Sequence, residues 1–150
     1  MVKYIRVVLF SIIAVFGIAM SLGSSYAYSD KGVYYDNVRY SDNVTFYGVD
    51  GLNLGFDAAL ADLGDSYEVI FDVVNDNDVD MIITDTTVKE DDPYITYELT
   101  YLDGKKVQVG DVLEKNNTKT LKYVVTYVNP VMVDNYQIDS SFNIQYDQKI

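Results

Sequence analysis

The chain has 150 residues, 49% apolar and 23% charged, a globular composition with room for a single domain. It contains no His and no Cys, which removes disulfides, thiolate metal sites, thiol nucleophiles, Cys-linked lipid anchors, His-based zinc sites and Ser-His-Asp triads. With 23 acids against 11 bases the net charge is −12, which repels a phosphate backbone and argues against nucleic acid as a partner.

The N-terminal stretch reads as an export signal over residues 1–27. Lys3 and Arg6 form a basic start, Val7–Met20 is an almost unbroken apolar run, and Ser25 and Ala27 place small residues where a signal peptidase reads. A run of 14 residues is short for a membrane span, so a hydrophobic signal helix cut after Ala27 is expected. The competing reading is an uncleaved signal-anchor, in which case this segment alone meets the membrane. Both put the remainder outside the cytoplasm, secreted or at the cell surface. All 23 acids follow Ala27, so residues 28–150 carry nine bases and a net charge of −14.

Residues 28–42 are polar, Tyr-rich and weakly periodic, and read as an extended N-terminal segment or linker before a domain over 43–150. From there period 2 dominates, the signature of strands with one buried face. Tyr67, Val69, Phe71 and Val73 alternate with polar residues, as do Ile95, Tyr97, Leu99 and Tyr101, then Leu121, Tyr123, Val125 and Tyr127. Near the C-terminus Ile138, Phe142, Ile144 and Tyr146 share one parity. Shorter strands are expected at 44–49, 54–58, 79–88 and 106–109. Asp57–Leu63 is the one stretch of helical composition, two turns at most, and equally suits the end of a strand. Asp50-Gly51, Gly64-Asp65, Asn75–Asp78, Asp103-Gly104 and Gly110-Asp111 are turn signals, with Asp103-Gly104 the clearest hairpin. Eight or nine short strands at this spacing predict an all-β fold, a single antiparallel β-sandwich of jelly-roll or Ig-like type behind the signal helix.

Fifteen Tyr call for two readings. Tyr67, Tyr97, Tyr101, Tyr123 and Tyr127 fall in register with apolar residues and are expected in the core. Tyr34, Tyr35 and Tyr40 lie outside any strong strand and are candidates for contact with a partner.

Asp76, Asp78 and Asp80 have the spacing of the first ligands of an EF-hand loop, a weak Ca²⁺ candidate. Met81 stands where that loop needs Gly and Thr87 where it needs Glu, so a polar turn is the simpler reading. Glu90-Asp91-Asp92 before Pro93 reads as an exposed acidic loop. Nothing marks two of the 23 acids as a glycosidase pair, and no Ser-x-x-Lys spacing occurs after Ala27. The expectation is a protein that is not an enzyme and needs no cofactor.

Ser25-Tyr-Ala-Tyr28, the run Leu63-Gly-Asp-Ser-Tyr-Glu-Val-Ile-Phe-Asp-Val-Val-Asn75, the run Ile95–Gly104 and Val109-Gly-Asp-Val-Leu113 together resemble the TasA/camelysin-like exported proteins of Gram-positive bacteria. The resemblance covers about half of the chain, and Ser29 stands where that family usually has Phe. It implies a jelly-roll-like subunit of an extracellular fibre or biofilm matrix, partnered by itself or by a related matrix subunit. In such fibres an N-terminal segment freed by signal cleavage completes the sheet of the next subunit, a head-to-tail contact that propagates. The matching donor here is Tyr28–Tyr40, with Val33, Tyr34, Tyr35, Val38 and Tyr40 as alternating anchors. The alternative is a monomeric cell-surface adhesin or carbohydrate-binding β-sandwich that uses exposed Tyr.

Overall fold

The computed structural model describes residues 5–10, 32–88, 92–130, 137–138 and 142–150. Among them there is no helix; the chain is all-β, and every strand pair but one is antiparallel.

The longest ladder joins the two most regular sequence patterns. Strands β5 (Ser66–Asn75) and β9 (Asn117–Tyr127) pair from Ser66↔Thr126 to Asn75↔Asn117 without a break. The alternation puts Tyr67, Val69, Phe71 and Val73 of β5 and Leu121, Tyr123 and Val125 of β9 in the core. On the outer side of β9 lies β7 (Ile95–Tyr101), and on the outer side of β5 lies β2 (Val33–Tyr40), giving the order β2-β5-β9-β7.

A second sheet holds β11 (Phe142–Gln148), β6 (Met81–Val88) and the two-residue β8 (Val112–Leu113), in the order β11-β6-β8. A third holds β10 (Gln137–Ile138), β1 (Ile5–Phe10), β4 (Asn53–Leu60) and β3 (Val44–Asp50), in the order β10-β1-β4-β3. Aromatic contacts join the sheets. Phe142 of β11 stacks on Phe71 at 5.6 Å between centroids and lies 4.7 Å from Tyr123, while Phe56 of β4 meets Tyr67 edge-on at 5.9 Å. Such ring pairs add about 0.5–1.5 kcal/mol each beyond area burial, so the core is tied together at its largest side chains.

Turn chemistry closes the ladders. Between β4 and β5, Gly64 takes a φ of 95° and the Asp65 carboxylate accepts the amides of Ala61 and Asp62 at 3.0 and 2.9 Å. Gly104, at φ 87°, turns the chain after β7, and Tyr101 N–H donates to the Lys105 carbonyl at 2.8 Å. The Asp103-Gly104 hairpin is therefore present, but its return arm pairs only through the single Thr100↔Lys106 bridge.

At four places the structure departs from the sequence reading or decides between its alternatives. Asp57–Leu60 ends strand β4 rather than forming a helix, because Ala58 and Leu60 share the buried parity of Leu54 and Phe56. Ile138 belongs to the separate β10, and the last long strand begins at Phe142. Of the two readings of 28–42, the extended one describes it from Val33, where strand β2 begins with Val33 and Tyr35 in the core of their own chain. Its periodicity is hard to read because the pairing with β5 shifts between Asp36 and Arg39, where Asn37 adopts φ 49°. Of the expected signal helix, Ile5–Phe10 is strand β1; the rest of 1–27, including Ser25 and Ala27, lies outside the described residues. A run holding Ile5, Val7 and Val8 suits a strand wherever a sheet edge offers partners.

Candidate functional site

β1 is an interior strand. One edge pairs antiparallel with β4, from Ile5↔Leu60 to Phe10↔Gly55, and the other pairs parallel with β10 at Arg6↔Gln137 and Val7↔Ile138. β4 thus holds a strand on both sides, β1 and β3. The backbone groups of Gly55–Leu60 on the β1 side are paired by Ile5–Phe10.

The candidate partner residues divide by burial. Val33 and Tyr35 are core, 7% and 3% exposed, and the Tyr35 ring lies 4.6 Å from Phe71. Tyr35 pairs opposite Val73, which turns it into the sheet interface of its own chain. Its hydroxyl is enclosed without a hydrogen-bond partner, and burial, aided by Tyr146, pushes its pKa well above the ordinary value. Tyr34 and Val38 are half-buried, and Val38 packs against the core. Tyr40 remains 47% exposed and stacks on Phe46 at 5.4 Å.

The turn between β5 and β6 carries Asp76, Asp78 and Asp80, yet its organiser is Asn75, fully buried at the end of β5. The Asn75 side-chain amide donates to the carbonyls of Val79 at 3.0 Å and of Leu113 and Glu114 at 3.1 Å. Its oxygen accepts both the backbone and side-chain amides of Asn77. Asp80 accepts the backbone N–H of Lys115 at 3.0 Å. The turn is therefore held by amides. Among the described residues no group of three or more acidic side chains is placed to hold a metal ion. The three Asp share a turn without converging on a point.

Two clefts flank the loop after β7. One, about 490 Å³, opens between Thr86 of β6 and the β7 edge at Thr96–Leu99, with Lys106 on its rim. The other, about 430 Å³, is lined by Tyr101, Lys105, Lys119 and Asp111 among others. Tyr101 donates to Asp111 at 2.8 Å; burial first, and this acid second, push the Tyr101 pKa far above its ordinary value. Lys119 lies 5.7 Å over the Tyr101 ring and donates to the Val112 carbonyl. Periodicity places Tyr101 in the core and gives Lys105, Lys119 and Asp111 no mark of a shared site. The only signal for this cleft is the Gly110-Asp111 turn, whose carboxylate accepts the Gln108 amide at 2.9 Å.

No protein-family model matches the chain, and neither does any curated protein or solved structure.

Proposed function

We propose that the chain is an exported, non-catalytic structural subunit, a β-sandwich of jelly-roll type, that assembles with copies of itself in an extracellular fibre or matrix at the surface of a Gram-positive cell. The resemblance to TasA/camelysin-like proteins enters as part of this proposal. One observation carries it: the six residues between β4 and β10 belong to the segment read as a removable signal. Cutting after Ala27 removes β1 and leaves the Gly55–Leu60 edge unpaired within the third sheet.

An extended segment of a second copy restores those hydrogen bonds, and the contact, being head-to-tail, propagates. The donor is the mature N-terminal segment that includes β2. Because Val33 and Tyr35 are core residues of their own chain, β2 is donated by exchange: it leaves its place beside β5 and pivots on the turn at Ser41–Asn43.

The test compares the chain ending its signal at Ala27 with the uncut chain by electron microscopy and sedimentation. The cut chain assembles, and added peptide of sequence Ile-Arg-Val-Val-Leu-Phe, residues 5–10, blocks assembly and raises the melting temperature. A cut chain that stays monomeric and ignores the peptide sinks the proposal.

A second reading is favoured by the 490 Å³ cleft, where Thr86, Thr96, Glu98 and Lys106 surround the buried Leu99 and Val107. Its size and its mix of polar rim and apolar floor suit a neutral sugar on a monomeric adhesin. Glycan-array binding by a monomer, lost in Glu98→Ala, selects this reading over the fibre subunit.

A further inference from the structure

Tyr47 stands apart from the other tyrosines. Among the described residues it is the most exposed of them, at 66%, followed by Tyr40 at 47%; the rest are buried or half-buried. Its position follows from the edge strand that carries it. The pairing of β3 with β4 shifts between Phe46 and Gly48, so that Phe46 lies opposite Phe56, Gly48 opposite Gly55, and Tyr47 opposite neither. Gly48 takes a φ of 146°, and the bulge re-aims the Tyr47 side chain. Gly55 beside it has no side chain to cover the ring, and a Cβ there would already touch the Tyr47 Cβ at 3.5 Å. The ring is thus left largely in solvent, while its hydroxyl donates to the Asp57 carboxylate of β4.

An exposed phenol held by a carboxylate is suited to one-electron oxidation. Removing an electron from a phenol makes its hydroxyl strongly acidic, and a carboxylate already bonded to it takes the proton in the same step. The product is a neutral tyrosyl radical with spin on the ring carbons ortho to the oxygen. Tyr101 also donates to a carboxylate, that of Asp111, but its ring is half-buried beneath Lys119. Side chains that would intercept an oxidant first are scarce. The chain has no Cys and no Trp, and Met81, the one Met among the described residues, is 0% exposed.

We propose that Tyr47 is a site of oxidative cross-linking, joined to Tyr47 of a second copy by a carbon–carbon bond between the two rings. The oxidant is hydrogen peroxide acting through an extracellular peroxidase. Each Tyr47 gives up one electron, and its phenolic proton passes to Asp57 and on to solvent. The two radicals couple through one ring carbon each, ortho to the oxygen. The hydrogen on each of those carbons then moves to the oxygen, restoring both phenols. Two electrons and two protons leave in all, and they reduce one peroxide to two waters. This rests on the exported, self-associating reading, which supplies the second copy, but it uses β3 and not the exchanged strand. With one such ring per chain the bond joins copies in pairs, so it fastens neighbouring subunits and does not itself propagate a fibre.

The experiment treats the purified chain with a haem peroxidase and hydrogen peroxide. Sedimentation before the oxidant reads assembly, and a denaturing gel with peptide mass mapping after it reads the covalent bond. The expected result is a covalent dimer with dityrosine fluorescence, linked Tyr47 to Tyr47 between isotope-labelled and unlabelled chains. Tyr47→Phe abolishes that dimer, and Tyr40→Phe leaves it. Asp57→Asn keeps a hydrogen-bond acceptor of the same shape that takes up no proton, and it slows dimer formation about tenfold or more. An unchanged melting temperature shows that the variants fold. Assembly before the oxidant with no Tyr47 link after it overturns this site and leaves the fibre subunit standing. Links at other tyrosines that Tyr47→Phe retains overturn it too, as does an Asp57→Asn chain that reacts at the wild-type rate. A Tyr47 link in a chain that does not assemble beforehand supports the site and counts against the fibre subunit.

Discussion

The side-chain amide of Asn75 reaches the carbonyl of Leu113, 38 residues later, at 3.1 Å, and so fastens the end of β5 to the end of β8. The same side chain serves Val79, Glu114 and Asn77, and it is fully buried. Polar groups enclosed in this way cost free energy unless every partner is present.

Asn75→Ala therefore leaves carbonyls of Val79, Leu113 and Glu114 without their donor. We expect a loss of about 2–4 kcal/mol, read as a lowered midpoint in urea with an unchanged slope. Asn75→Asp is worse than Ala, since it sets a carboxylate against those three carbonyl oxygens. A change below about 0.5 kcal/mol in either variant would show that water replaces the amide without penalty.

Phe142 joins the second sheet to the central one, stacked on Phe71 and in contact with Tyr123. Truncation to Ala removes both contacts from a site 1% exposed. The expected cost is about 3–5 kcal/mol in chemical denaturation, and less for Phe142→Leu, which refills part of the cavity.

Tyr35 and Tyr146 are buried, and burial raises both pKa values above 10.0. Below pH 10 they are protonated in both folded and unfolded chains, and their contribution to stability is fully present. Above pH 10 the unfolded chain releases protons that the folded chain keeps, so stability falls as pH rises, by about 1.4 kcal/mol per pH unit for each hydroxyl. In an alkaline titration these two ionise only with the loss of circular dichroism. Tyr146→Phe makes the fall shallower. Full tyrosinate absorbance with the fold intact would contradict the assignment.

Asp76, Asp78 and Asp80 share a turn held by amide donors, with Asp80 engaged by Lys115 N–H. Calcium or a chelator should leave the melting temperature in place. A rise with added Ca²⁺, lost in Asp76→Asn, would reverse that expectation.

The strands that alternate cleanly are legible in the amino-acid sequence. Tyr67–Val73 and Leu121–Tyr127 each bury one parity against a packed sheet, and a period of two leaves that trace in composition; Ile95–Tyr101 follows it less closely, burying Ile95, Leu99 and also Thr100 while Tyr97 and Tyr101 stay half-buried. β2 is not legible in that way, because an edge strand interrupted at Asp36/Arg39 needs only Val33 and Tyr35 to be apolar. Asp57–Leu60 has helix-forming residues, but its neighbours β1 and β3 make a strand the state with satisfied backbone groups. The lysine cleft leaves only the Gly110-Asp111 turn as a trace in the sequence, since Tyr101, Asp111 and Lys119 meet only after the chain turns back on itself.

Composition alone, with neither His nor Cys, rules out the chemistries that need them, and the order of charges separates a basic, apolar start from a domain of net charge −14. Those are properties of side chains one at a time, and no fold alters them. Which backbone edges are paired is a property of pairs distant in the chain. Only the tertiary structure decided that Val33 and Tyr35 face their own core, that Ile5–Phe10 stands between β4 and β10, and that two lysines share one cleft. Hydrogen bonds between strands are blind to side-chain identity, so a partner's place is set by topology and leaves little mark in the residues that occupy it.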